Sequence, residues 1–469
     1  MGVLSGLLVT HLPNVLGMIT ANTYGQLSES TLFRLFQVWK DHFGWEEWSK
    51  TNTDGYFVMD KDPPDDFTPH GYTFKKPYNK IFFRNGGVVM TVSLDNYKAV
   101  DGREVGWCLG DEVKDTKEEA IKDVILGRLR APGVCLRKDY NFFEHMLPFV
   151  PTGHSQAGEQ INPLYFFTSP AKEEWIINMF DLESHRLEIE STIFSETDYF
   201  FKRHDNTTIV IASTFHNRDH LPASYIPNRL KDLSKDRADM LVYGYPFGKS
   251  GVEYYANFNR SRHVAPCQFT PGYPLLVSFD FNVNPYMTMI VLQIVPVGDR
   301  WKLRVLHEYC LESPHNSIEG VCAAFIEDYE HLCDYGLYYY GDASGKNTLP
   351  VADAKNYYAV VEKELKAFLG TNSRRLLKQN PRHKSLGEGT MGRRDFMNAF
   401  LSGRYGVDLI IDPRCKKTIA DMEFVQQDDN GAKLKKKEKI NGISCERYGH
   451  TSDALDGVAC FQWGAYTKS

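Results

Sequence analysis

Apolar residues recur along this chain in short runs between polar turns, and their period switches repeatedly between strand-like and helix-like spacing. In the first half, Val15–Thr20 and Pro163–Thr168 read as buried strands, and Val105–Leu109 as a short strand ending at Gly110-Asp111-Glu112. Lys80–Phe83 and Gly87–Leu94 read as a strand pair, with Arg84-Asn85-Gly86 supplying turn chemistry between them. Helices are predicted at Gly2–His11, at Ser28–Trp39 behind a Ser-Glu-Ser start, and at Ala120–Arg130; Ile209–Ser213 closes the series as a strand. This alternation predicts a mainly parallel α/β sheet.

From Ala223 to Gly272 the pattern loosens around Pro227, Pro246, Gly248, Gly251, Pro266, Pro271 and Gly272, as in a connection between domains. A second α/β unit then begins. Tyr273–Phe281, Thr288–Val297 and Leu303–Tyr309 read as a meander of three strands. Ile318, Val321, Cys322, Phe325, Ile326 and Tyr329 mark one face of a helix, and Gly336–Tyr340 is a fourth strand, ending at Gly341-Asp342. Helices follow at Asn356–Leu369 and Arg394–Leu401, then a hairpin about Asn430-Gly431 and a last helix from Ser452 to Trp463. The domain boundaries this implies are 1–222, a linker over 223–272, and 273–469.

Composition narrows the class. With 42% hydrophobic and 24% charged residues the chain is globular, neither disordered nor fibrous. Its net charge of -6 means that any nucleic-acid contact needs a local basic patch. The nine cysteines include no C-x-x-C pair, so neither a disulfide framework nor a zinc site is expected, and a reducing compartment is. Met1–Ser28 holds no Lys, Arg, Asp or Glu, but it also lacks a positive leader, and His11, Pro13, Asn14 and Asn22 interrupt it. Neither secretion nor a membrane span is expected.

Three acids stand out by position. Asp280 ends the apolar run Leu275-Leu276-Val277-Ser278-Phe279, where a charge is costly unless paired or bound to a cation. Asp342 follows Leu337-Tyr338-Tyr339-Tyr340-Gly341 at the carboxyl end of a strand, where open α/β sheets place ligands. Asp453 opens the last helix, where the helix dipole favours an anion. Singly, each also looks like a cap or turn residue, and Asp456 like a solvated helix position. Gathered together, three carboxylates repel unless hard divalent cations intervene. Two such ions about 3.5–4 Å apart suit phosphodiester hydrolysis. Glu308, at the end of the third strand, is a fourth candidate oxygen donor.

These segments resemble the RNase H-like nuclease domain of bacteriophage terminase large subunits. The likeness runs through Ser278-Phe279-Asp280, Gly341-Asp342-Ala343-Ser344-Gly345, Ile411-Asp412-Pro413-Arg414-Cys415-Lys416 and Gly449-His450-Thr451-Ser452-Asp453-Ala454, and the His-x-x-Asp-Ala element is the most specific. It implies two Mg²⁺ or Mn²⁺ ions on Asp280, Asp342 and Asp453, with Glu308 and His450 as secondary candidates. It also implies cutting of double-stranded DNA without strong sequence preference. Lys433, Lys435, Lys436, Lys437 and Lys439 then become candidate phosphate contacts, with Lys378, Arg393 and Arg394 extending the patch.

The first half resembles the ATPase domain of the same family. Val105–Glu112 is similar to a Walker B strand, with Asp111 for the nucleotide's Mg²⁺ and Glu112 for the attacking water. Ile19–Leu27 resembles the strand and turn after that domain's first helix, and Phe166-Phe167-Thr168-Ser169-Pro170 its coupling motif, with Thr168 sensing the γ-phosphate. Arg103 sits where some members carry a trans-acting arginine. The departure is that no G-x-x-x-x-G-K-[ST] loop occurs, since Gly248-Lys249-Ser250 lies in the linker without a preceding strand. The expected fold is an incomplete P-loop-type (ASCE) ATPase domain followed by an RNase H-like nuclease domain with a mixed sheet. ATP binding is expected only if an upstream phosphate loop is supplied, and hydrolysis by these residues alone is expected to be poor. By resemblance the partners are DNA, a portal protein, a small terminase subunit and further copies in a ring, in the host cytoplasm and transiently at the procapsid portal. The competing classes are another RNase H-like enzyme of resolvase or transposase type, and a non-enzymatic viral DNA-binding protein.

Overall fold

The computed structural model describes residues 1–13, 15–100, 103–131, 162–170, 173–204, 207–249, 251–346, 356–373, 377–379, 390–440 and 443–464. The chain divides into two units, Met1–Gly248 and Lys249–Ser469.

The first unit is built on β1 (Gly17–Ala21), β2 (Phe57–Met59), β3 (Lys80–Phe83), β4 (Val88–Ser93), β5 (Trp107–Asp111) and β6 (Leu164–Phe167), in the order β2-β3-β4-β1-β5-β6. Neighbours from β4 through β6 run parallel, while β2 and β3 form an antiparallel edge. Every residue of β1 is buried, as its uninterrupted apolar run requires of a central parallel strand. Gly17 is dictated by packing, because a Cβ there would lie 2.0 Å from the Trp107 ring. Helix α1 (Gly2–His11) and helix α2 (Phe33–Phe43) cover the sheet with Leu8, Leu35 and Trp39, and the Trp39 indole donates to Ser5 Oγ at 2.9 Å. The helical run into α2 begins at Tyr24 rather than Ser28, because Thr23 Oγ1 accepts from the Gln26 N–H, and it passes through a π-helical turn at Leu27–Leu32. The strand expected at Ile209–Ser213 is present as Thr207–Ile211 (β8), but among the described residues it pairs with Phe200–His204 (β7) in a separate two-stranded ribbon and not in the main sheet, since its partly exposed residues offer no fully buried run for a sheet interior.

In the second unit the strands are β9 (Leu275–Asp280), β10 (Met287–Val297), β11 (Arg300–Leu311), β12 (Leu337–Gly341), β13 (Leu377–Gln379) and β14 (Val407–Ile411), in the order β13-β12-β9-β10-β11-β14. The first three form the expected antiparallel meander. After α3 (Ile318–Tyr329), β12 returns parallel to β9, and β13 adds parallel to β12 after α4 (Tyr357–Leu369). β14 closes the far edge parallel to β11. The sheet is therefore mixed, and both of its faces are covered. Leu275, Val277 and Phe279 meet α3 and α4, whereas Leu276 meets α5 (Thr390–Leu401), α6 (Lys416–Phe424) and α7 (His450–Trp463). A ribbon of β15 (Lys437–Ile440) and β16 (Ile443–Glu446) leads into α7.

The stretch read as a linker, 223–272, is instead built into both units. Tyr225–Asp232 and Lys235–Leu241 are helices of the first, and Phe215, Ile226 and Val242 pack together there. Tyr254, Tyr255 and Phe258 are buried in the second unit's core, and Glu253 and Val264 bridge to Gln426 and Ile411. Its prolines and glycines break regular elements, but its aromatics still find a core. Among the described residues no helix is long and apolar enough to cross a membrane.

Candidate active site

Strand alternation sends Leu276, Ser278 and Asp280 to the α7 side of the sheet. Ser278 Oγ donates to the Ala454 carbonyl at 2.8 Å, fixing β9 against α7. Asp280 ends β9 only 5% exposed. Next to it, β12 runs in register with Gly341 opposite Phe279, which brings Asp342 to the neighbouring strand end. Gly341 faces the other layer, where a Cβ would lie 2.6 Å from Phe281 and 2.9 Å from Tyr358 Oη, and the strand ends there, one residue before Asp342. Tyr358 Oη donates to the Asp342 carbonyl at 2.8 Å and holds the turn.

Helix α7 delivers the remaining groups, and its start is pinned by Asp421 of α6. That buried carboxylate accepts from Gly449 N at 2.9 Å, Thr451 Oγ1 at 2.7 Å and Ser452 N at 3.0 Å. His450 Nδ1 lies 2.8 Å from Asp280 Oδ2, and its Nε2 lies 2.9 Å from the Glu446 carbonyl. Both ring nitrogens thus face acceptors, which the doubly protonated imidazolium satisfies, while the Asn282 amide nitrogen also lies 3.1 Å from Nδ1. Burial alone would lower the His450 pKa, but the hydrogen bond and charge of Asp280 outweigh it and raise it to about 9. Asp280 is itself pushed upward, chiefly by burial, with His450 opposing and the charge of Asp453 adding to the rise. Asn282 Nδ2 donates to both Asp280 oxygens, at 3.1 and 2.9 Å.

Asp453 belongs to a second charged group. Lys433 Nζ lies 2.7 Å from Asp453 Oδ1, 2.9 Å from Asp456 Oδ2 and 3.0 Å from Ser452 Oγ, and its side chain is only 8% exposed. Arg393 adds a guanidinium 3.7 Å from Asp453. Burial works against ionised Asp453, but Lys433 and Arg393 hold its pKa below the usual carboxylate range. Asp456, expected as a solvated helix position, is fully buried and accepts from Tyr255 Oη at 2.9 Å. Its pKa is raised, first by burial and then by Asp453.

Asp280, Asp342 and Asp453 therefore lie at one end of the sheet, but Asp280 and Asp453 each already hold a cationic partner. Among the described residues no three His, Cys, Asp or Glu side chains are grouped tightly enough to hold a metal ion. The donors nonetheless suit a hard divalent cation in kind, being carboxylate oxygens at two adjoining strand ends and at the start of α7. The Thr288 hydroxyl, opposite Asp280 in register, is buried with no hydrogen-bond partner among the described residues and offers another oxygen.

Two assignments need correction. Glu308 is a helix cap: its oxygens accept from Lys417 N at 2.6 Å, Thr418 N at 2.7 Å and Thr418 Oγ1 at 2.8 Å, at the start of α6. Lys433 is a buried counter-ion and not a phosphate contact. It belongs to a tight hairpin in which Asp428 Oδ1 accepts from Asn430 N and Ala432 N, while Lys436 and Lys437 are exposed beyond it. Lys435 is 60% exposed and lies 3.4 Å from Glu446. The side chains of Lys378 and Lys439 lie outside the described residues, and Arg394 is engaged with Asp395 and Gln427. Asp412, in the third matching segment, holds a turn by accepting from Cys267 N at 2.8 Å and Arg414 Nε at 2.9 Å. Sequence reading missed Asp421 and the buried role of Asp456; the only clue was that Asp456 falls on the apolar side of a helix with few polar positions.

In the first unit, Asp111 ends β5 and accepts from Thr31 Oγ1 at 2.7 Å. Glu112, at φ 47°, is held by Ser169 Oγ at 2.7 Å and by Lys114 at 3.4 Å. Thr168 Oγ1 accepts from Lys114 N at 3.2 Å, so Asp111, Glu112 and Thr168 share the carboxyl edge of β5 and β6. Arg103 is elsewhere, its guanidinium 4.8 Å from the Phe74 ring centre.

No protein-family model matches the chain, and no curated protein does. The structural neighbours are bacteriophage large terminases. One, from a thermophilic bacteriophage, matches over 98% of this chain and 89% of its own at 12% identity, with a TM-score of 0.32. The large terminase nuclease domain of bacteriophage SPP1, solved with bound Mn, matches over 43% of this chain and 95% of its own at 13% identity and a TM-score of 0.26. The large terminase ATPase domain of Thermus phage P74-26 matches over 39% and 75% at 15% identity and a TM-score of 0.18.

Proposed function

We propose that the second unit is a divalent-metal-dependent endonuclease acting on double-stranded DNA, within a chain that serves viral genome packaging as a terminase large subunit. The observation that carries this reading is the desolvated Asp280 at the end of a central strand, with Asp342 directly following the parallel strand beside it. Asp280, Asp342 and Asp453 would hold Mg²⁺ or Mn²⁺, which when bound supplies Lewis acidity toward a water and a phosphodiester oxygen. His450 orients and partly neutralises Asp280, and Asp421 fixes the helix that carries both His450 and Asp453. The exposed Lys436 and Lys437 lie at the start of the ribbon preceding α7 and suit phosphate contacts.

For the first unit we propose the packaging ATPase, with Asp111 on the nucleotide's Mg²⁺, Glu112 on the attacking water and Thr168 sensing the γ-phosphate. Action with a portal protein and small subunit, in a ring at the procapsid portal in the host cytoplasm, is part of the same proposal. Hydrolysis by these residues without a phosphate loop is expected to be slow, and a steady-state ATPase assay measures it. The nuclease reading is tested by nicking of supercoiled plasmid. Cutting should need Mn²⁺ or Mg²⁺ and vanish in Asp342→Ala with the thermal transition retained. Unchanged cutting by that variant, or no cutting by the unsubstituted chain with either metal, would overturn it.

A further inference from the structure

We infer that Lys433 is an internal competitor for the divalent cation: its ammonium holds Asp453 and must be shared or given up when an ion binds there. The inference rests on the nuclease reading above and adds a determinant of metal affinity to it. Three acceptors, Asp453 Oδ1, Asp456 Oδ2 and Ser452 Oγ, lie 2.7, 2.9 and 3.0 Å from the ammonium, matching its three N–H bonds. The rings of Tyr254 and Tyr255 lie 5.3 and 5.1 Å away and add cation–π attraction. This is a site built for one cation, and Lys433 fills it.

The hairpin makes that placement specific. Leu434 N donates to the Gln426 carbonyl and Asp428 N to the Ala432 carbonyl, each at 2.8 Å, around Gly431 at φ 75°. Lys433 thus projects from a short, cross-bonded turn, and its position is coupled to that turn. Asp453 keeps 26% of its side chain exposed while Asp456 keeps none. A cation arriving from solvent can therefore reach Asp453 but not Asp456. It meets a carboxylate already bound to an ammonium, and like charges that close in a partly desolvated site repel strongly.

Two substitutions should shift affinity in opposite directions. Lys433→Gln removes the competing charge and should tighten Mn²⁺ binding roughly tenfold or more. Asp456→Asn leaves the ammonium with Asp453 as its one charged acceptor in the group and should weaken Mn²⁺ binding by roughly threefold or more. Mn²⁺ titration calorimetry on the full chain reads both, and Mn²⁺ should raise the thermal midpoint of Lys433→Gln by more than that of the unsubstituted chain. Where Lys433→Gln does not fold, Asp456→Asn decides alone. Affinities of the folded variants within twofold of the unsubstituted chain would overturn the inference while leaving the nuclease reading intact. Absence of any Mn²⁺ uptake that Asp342→Ala abolishes would instead remove that reading, and this inference with it.

Discussion

Replacing Asp421 by asparagine removes the charge that anchors the start of α7 without changing the shape of the side chain. The carboxylate takes three hydrogen bonds, from Gly449 N, Thr451 Oγ1 and Ser452 N, and all three are buried. Hydrogen bonds to a charged group contribute about 1.5–3 kcal/mol each. Asparagine retains one acceptor oxygen, but its amide presents N–H bonds where donors already point. Losing about half the interaction and setting a donor against donors should destabilise the second unit by about 3 kcal/mol. For a domain of this size that corresponds to a fall of roughly 6–12 °C in its midpoint. Differential scanning calorimetry on the full chain reads the shift, with the two units followed as separate transitions where they resolve. Because α7 carries His450 and Asp453, Mn²⁺ affinity should fall as well. A shift smaller than about 2 °C, equivalent to under about 1 kcal/mol, would show that α7 is held by its apolar face alone and refute the anchoring argument.

Other substitutions probe neighbouring claims. Glu308→Gln should cost about 1–2 kcal/mol through the cap on α6 and leave Mn²⁺ affinity unchanged; a marked loss of affinity would return Glu308 to the ligand set. His450 has its pKa raised from an ordinary 6.5 to about 9. Its contribution to stability is complete below the ordinary value and disappears as pH climbs through about 9, so stability should fall across that interval. NMR titration of the ring should place its midpoint near the upper value, and Asp280→Asn should bring it back down. Gly17→Ala places a methyl 2.0 Å from the Trp107 ring and should destabilise the first unit by about 2–3 kcal/mol in urea unfolding, whereas a neutral result would mean the two strands separate easily.

Local pattern was enough for the elements that bury one face or two. The helix Ile318–Tyr329 and the strand Lys80–Phe83 occupy the residues their periodicity marks, because side-chain spacing along one element decides which face is apolar. The isolated acid at the end of an apolar run likewise singled out Asp280, since desolvating a lone charge is costly wherever the strand lies. β14 had no such local mark. Its place depends on Trp301–Val305, more than a hundred positions earlier, which supply its pairing partners.

The sequence by itself determined those strands and helices whose apolar period is clear, such as Lys80–Phe83 and Ile318–Tyr329, and the type of side chain at each strand end, because both follow from the chemistry of neighbouring residues. Tertiary structure alone decided which carboxylates are ligand candidates and which are already employed: Glu308 caps α6, Asp421 anchors α7, and Lys433 neutralises Asp453 and Asp456. A lysine in a run of lysines looks solvated until the fold withdraws one of them from water. Once buried, its charge is fixed by whichever carboxylates the fold brings within hydrogen-bonding distance.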